Sequence, residues 1–104
     1  MKKTILLYIL FVACLPAAAQ RSAVKHIIHG NRAYRDSLFD QSEVSYLKAI
    51  DTDNRNAVGH FNAGCAMLMP NKAKEAMEAY EAAAEREKDK KRLANIYHNM
   101  GWIM

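Results

Sequence analysis

The sequence predicts an all-α fold, a small solenoid of stacked helix pairs behind an N-terminal leader. Three observations predict it. Residues recur at a spacing of 34: Gly30 and Gly64, Ser42 and Ala76, Tyr46 and Tyr80, Ala49 and Ala83, and His26 and His60. The segment KEAMEAYEAAAERE combines strong helix formers with apolar residues at helical spacing. Residues 20–104 show no alternation of apolar and polar residues of the kind that marks a strand.

The leader comes first. MKKTILLYILFVACLPAAAQ opens with Lys2 and Lys3, runs apolar from Ile5 to Leu15, breaks at Pro16 and ends in an alanine run. This is the pattern of a secretory signal peptide over residues 1–19, cleaved between Ala19 and Gln20. The apolar run is well short of the roughly 20 residues that span a bilayer. Two other readings stay open: an uncleaved anchor, and a lipoprotein in which Cys14 carries the lipid.

Removing the leader changes the totals. Fifteen Lys and Arg, less Lys2 and Lys3, stand against eleven Asp and Glu, a mild net +2. That is too little to imply nucleic acid or an acidic membrane as partner. Cys65 becomes the lone cysteine, so no internal disulfide is expected and the chain must hold by packing. Residues 20–104 form one small domain.

Each period reads as two helices. Repeat 1 covers about 23–56 and repeat 2 about 57–90, with the first helix of a third repeat over about 91–104. In the second copy Ala73, Ala76, Met77, Tyr80, Ala83 and Ala84 share one face, and Lys74, Glu78, Glu81 and Glu85 lie outside it. Pro70-Asn71 breaks the chain before this helix, with Asn71 expected as its N-cap. Asp36-Ser37 holds the matching turn in the first copy, and Asn56 is expected to cap the next helix. Gly30 or Gly64 against Ser42 or Ala76 lets antiparallel helices approach closely. Tyr46 and Tyr80 then act as wedges, and Ala49 and Ala83 leave room for the next pair. HFNAG at 60–64 returns as YHNMG at 97–101, so Gly101 continues the glycine column after 37 residues. The three extra residues are expected in the charged stretch EREKDKKR.

A 34-residue helix–turn–helix unit with glycine, a small residue, tyrosine and alanine in these columns resembles the tetratricopeptide repeat. The resemblance spans about Ala23 to Lys88 as two repeats and Ala94 to Met104 as half of a third. Asn54 and Lys88 stand where the family usually has proline. Ser37 and Asn71 stand where it usually has the inner-turn glycine. The whole chain, leader included, is similar to the small tetratricopeptide proteins of the Bacteroides aerotolerance (Bat) operon. That resemblance implies a periplasmic or envelope protein of a Gram-negative, Bacteroidetes-type bacterium. It also implies a non-catalytic adaptor whose partners are membrane proteins carrying von Willebrand A domains.

The expected partner groove follows the first helix of each pair. Phe61, Cys65, Leu68 and Met69 share one face of an uncharged helix. Ile27, Asn31, Tyr34 and Arg35 match them in the first repeat, and His98 and Trp102 continue the line. Such a groove would take a partner helix or extended segment. The paired lysines that clamp a C-terminal carboxylate in related cytosolic repeats are missing, since Ile27, Asn95 and Asn99 hold those places.

No catalytic centre, metal site or cofactor is expected. His26 and His29 lie three residues apart but have no third ligand at suitable spacing. His60 and Cys65 are about 140° apart around a helix of 3.6 residues per turn, poor geometry for a thiol–imidazole pair. A thiol-based redox sensor at Cys65 is therefore the weaker alternative, and Cys65 reads as a packing residue. REKDKKR reads as the solvated C-terminal end of a helix, where cations are favoured.

The end of the chain is apolar. Met100, Trp102, Ile103 and Met104 would have no following helix over them. The expectation is a truncated third repeat with an exposed apolar edge that self-associates.

Overall fold

The 34-residue period reappears in the backbone, turn by turn. The computed structural model describes the backbone of residues 2–103 and the side chains of residues 17–103. Five helices follow one another: α1 (Lys2–Arg35), α2 (Phe39–Thr52), α3 (Ala57–Leu68), α4 (Ala73–Arg86) and α5 (Lys90–Ile103). No strand occurs among the described residues. α1 packs on α2 and α3 on α4; α2 joins the two pairs through α3, and α5 rests on α4. The expected leader continues into α1, with Ala19 and Gln20 inside that helix. Met1, Met104 and the side chain of Cys14 lie outside the described residues.

The two inner turns have the same construction. Leu38 N–H donates to the Ala33 carbonyl at 2.8 Å and Ser37 N–H to that of Tyr34 at 3.0 Å. Exactly one period later, Lys72 N–H donates to Met67 at 2.9 Å and Asn71 N–H to Leu68 at 3.0 Å. These nested bonds close a helix C-terminus through one left-handed residue. That residue is Ser37 (φ 60°) and Asn71 (φ 67°). Asn71 is therefore the turn residue and not the N-cap of α4. Lys72 holds the N-cap and makes no side-chain capping bond. Asn56 does cap α3, its Oδ1 accepting from Val58 N–H at 3.0 Å and Gly59 N–H at 3.3 Å.

The second helix of each pair also ends alike. Asp53 N–H donates to the Ala49 carbonyl and Glu87 N–H to that of Ala83, again 34 residues apart. Each of these carboxylates then holds an arginine just downstream. Asp53 meets Arg55 Nε and Glu87 meets Arg92 Nε, both at 2.9 Å.

The charged stretch after α4 departs from expectation. α4 stops at Arg86 and α5 starts at Lys90, so Lys90 and Lys91 fall in the first turn of a new helix. They are not at a helix C-terminus; they sit where the helix dipole disfavours cations. Asp89 offsets this as N-cap, accepting from Arg92 N–H at 3.0 Å. The extra residues of the third period thus lengthen the start of α5 and leave the preceding loop short.

The core is built from the expected columns. Tyr46 and Tyr80 are buried, with Ala49, Ala76, Ala83 and Ser42 also in the core. A Cβ placed on Gly30 would lie 2.5 Å from Tyr46 Cε1. Only glycine lets the ring lie this close to the helix backbone. Ser42 contributes more than small size, because its hydroxyl donates to the Gly30 carbonyl at 2.9 Å. Gly101 breaks the series. Apart from the backbone of its own helix, no described atom lies within 4 Å of where its Cβ would be.

A cleft between the helix pairs as candidate partner site

α1, α2 and α3 converge on a cleft of about 490 Å³, lined by Asn31, Tyr34, Arg35, Tyr46, Asn62 and Cys65. Tyr46 reaches it because Gly30 and Ser42 let its ring pass between α1 and α2. Its hydroxyl emerges on the far side and donates to Asn31 Oδ1 at 2.5 Å. Asn62 Nδ2 donates to the same oxygen at 3.2 Å, tying α3 to α1. The Asn31 amide nitrogen makes no hydrogen bond to the described residues, so a donor remains on the cleft wall. Tyr34 stands beside this hub with its ring edge-on to Phe39, centroids 5.3 Å apart. Burial raises its phenol pKa, so it is a neutral donor at physiological pH.

The next period repeats the hub with a change of atom. Cys65 stands 34 residues after Asn31, and Tyr80 donates its hydroxyl to Cys65 Sγ at 3.4 Å. Burial pushes the Cys65 thiol up, against the opposing pull of the Tyr80 hydroxyl. A raised thiol stays protonated near neutrality and is a weak nucleophile. Burial also drives the Tyr80 phenol upward. His60 is no partner for Cys65: it is buried, with Nε2 at 2.9 Å from the Asn54 carbonyl. The same carbonyl accepts from Arg86 Nε, so one oxygen ties α3 and α4 to the loop after α2.

The expected groove line is divided. Asn31, Tyr34, Arg35 and Cys65 do meet in the cleft. Ile27 does not reach it and lies in the core. Phe61 packs its ring on Tyr80, centroids 5.5 Å apart. It faces a separate hollow of about 210 Å³ with Arg92 and Ile96 of α5. Leu68 rests against the core, and Met69 is exposed beside the inner turn at Ser37 and the start of α2. His98 and Trp102 are exposed on α5 and bond to one another, Trp102 Nε1 donating to His98 Nε2 at 3.0 Å. Two cleft residues were outside the expected groove: Tyr46, expected only as a wedge, and Asn62, given no role. The signal for Asn62 was present, since HFNAG and YHNMG both keep asparagine two residues before glycine.

His26 is half-buried and His29 exposed. Among the described residues no three His, Cys, Asp or Glu side chains group in a way that could hold a metal ion. No helix of the described residues is long and apolar enough to cross a membrane. No family model matches the chain, and no curated protein matches it.

Proposed function

We propose that this chain is a tetratricopeptide-type adaptor of the bacterial cell envelope that holds a segment of a partner protein in the cleft between its helix pairs. The observation that carries this reading is the hub of Asn31, Tyr46 and Asn62. It places polar groups from three helices on one concave wall, beside the aromatic Tyr34. A cleft with a few fixed polar groups and an aromatic side suits an extended segment, whose backbone can bond to the amides. The raised thiol of Cys65 favours this reading over a redox sensor, which needs a thiolate.

The leader at residues 1–19 supports export, with Gln20 as the mature N-terminus; lipidation at Cys14 is the second form. The similarity to the aerotolerance-operon proteins makes membrane proteins with von Willebrand A domains the partners to test first. Crosslinking in intact envelopes followed by capture of the chain tests the reading. Wild-type chain is expected to retain a membrane-protein partner, and Asn62→Ala or Tyr34→Ala to lose most of it while circular dichroism stays unchanged. Equal capture by all three would remove the cleft from consideration. Mass spectrometry of the mature N-terminus distinguishes free Gln20 from lipidated Cys14.

A further inference from the structure

We propose that the outer face of α1 is a membrane-docking surface that lies against the headgroups of anionic phospholipids. The cleft plays no part in this. Charge is divided unevenly along the chain. Residues 20–35 carry four Lys and Arg and no Asp or Glu, whereas residues 36–104 carry nine Lys and Arg against all eleven Asp and Glu. The mild net charge therefore hides a basic first helix joined to an acidic remainder.

The four cations share one face. At about 100° per residue, Arg21, Lys25, Arg32 and Arg35 fall within about 80° of arc around α1. Ala23, Ile27 and Gly30 are buried on the opposite side of the helix. All four cations are exposed, and none is ion-paired among the described residues. Val24 and Ile28 lie on the same face between Arg21 and Arg32, each 46% exposed. The nearest acid along the chain is Asp36, past the end of the helix.

An anionic bilayer fits this face better than an acidic protein does. Exposed aliphatic side chains set among cations mark a helix at the lipid interface, its apolar atoms below the headgroups and its cations among the phosphates. Position along the chain points the same way. α1 runs unbroken from Lys2 to Arg35, so the basic face follows directly on the apolar leader segment. A leader engaged with the membrane delivers Arg21 and Lys25 to the headgroups, and its removal at Ala19 frees α1 to lie along the surface. Only this delivery step rests on the proposed export; the face itself does not.

Co-sedimentation of the chain purified from envelopes tests the proposal, with vesicles of mixed phosphatidylglycerol and phosphatidylcholine set against phosphatidylcholine alone. The difference between the two vesicles is the readout, since it removes any contribution of lipid at Cys14. Wild type is expected to prefer the anionic vesicles by about tenfold or more, the preference shrinking at high salt. Arg21→Gln, Lys25→Gln and Arg32→Gln together should abolish most of it, at about fivefold per cation, with circular dichroism unchanged. Lys74→Gln, Lys90→Gln and Lys91→Gln remove as much exposed charge elsewhere and should leave the preference in place. Val24→Ser with Ile28→Ser should weaken vesicle binding several-fold while keeping its salt dependence. Arg35 also lines the cleft and is left unchanged, so partner capture and vesicle binding can fail separately. Equal binding to both vesicles would overturn the proposal. So would equal losses from the two triple variants, which would reduce the effect to net charge. Binding of polyglutamate through Arg21, Lys25 and Arg32 without vesicle binding would give the face to an acidic protein and exclude the membrane.

Discussion

Gly64 lies directly beneath the ring of Tyr80, so close that a Cβ on the glycine would come within 2.8 Å of Cε1 and 2.9 Å of Cδ1. The ring is almost wholly buried and has little room to retreat. Gly64→Ala is therefore expected to destabilise the fold by about 1–3 kcal/mol through overpacking. This should hold although alanine is the better helix former. Gly101→Ala meets open space and should stabilise α5 by up to about 1 kcal/mol from helix propensity. Urea unfolding of the two variants reads the contrast directly. Equal effects would mean that the glycine column has no packing role.

The two left-handed turn residues offer a second test. Ser37 carries a Cβ at φ 60° and Asn71 at φ 67°. A left-handed residue with a Cβ costs roughly 1–2 kcal/mol, and asparagine tolerates the region better than most. Ser37→Gly is expected to raise stability by about 1 kcal/mol, and Asn71→Gly by less. Thermal melts of both variants check the order. A lower melting temperature for Ser37→Gly would show that the serine side chain contributes something the backbone geometry does not reveal.

His60 should make stability depend on pH. Burial holds its pKa below the ordinary 6.5, and nearby Arg86 pulls the same way. The Asn54 carbonyl and Glu85 act in the opposite direction without cancelling the shift. The unfolded chain then takes up the proton more readily than the folded one. The stabilisation from neutral His60 is complete above pH 6.5 and is lost as pH falls from there through the folded-state pKa. His60→Gln should flatten this part of the profile. Unfolding midpoints measured above and below pH 6.5 for both proteins would test it, and parallel profiles would refute it.

The cleft makes a further prediction about position. Tyr34 and Asn62 lie on its wall, whereas Glu78 and Glu81 are exposed on α4. Alanine at either of the first two should weaken partner capture several-fold, a cost of about 1 kcal/mol or more. Alanine at either glutamate should change capture little. Similar losses from both sets would point to general destabilisation, and unfolding curves for each variant identify that case.

Much of the fold could be read from spacing alone. The recurrence of Gly30, Ser42, Tyr46 and Ala49 one period later predicted two antiparallel helix pairs, and the close contacts at Gly30 and Gly64 follow from those residue types. Asn56 as a cap was equally local, because a short side chain accepting from N–H groups two and three residues ahead needs no distant partner. Ser37 and Asn71 were recognised as standing in the glycine position of the turn. The expectation that Asn71 would also cap α4 did not hold, because a residue in the left-handed region ends one helix and is wrongly placed to cap the next.

What periodicity specifies is which residues share a face of a helix. It does not specify what that face meets. Ile27 and Asn31 share a face of α1, yet Ile27 is buried in the core and Asn31 opens on the cleft, because α3 touches α1 over only a small part of that stripe. Phe61 packs instead on Tyr80 and faces α5. Asp89 became a cap once α5 gained an extra turn, which residue spacing could not separate from a longer loop. The sequence by itself determined the helices, their pairing and the tyrosine wedges, all of which depend on contacts within one period. The tertiary structure alone decided which polar groups of three different helices share a wall, since that depends on the crossing angles between successive pairs.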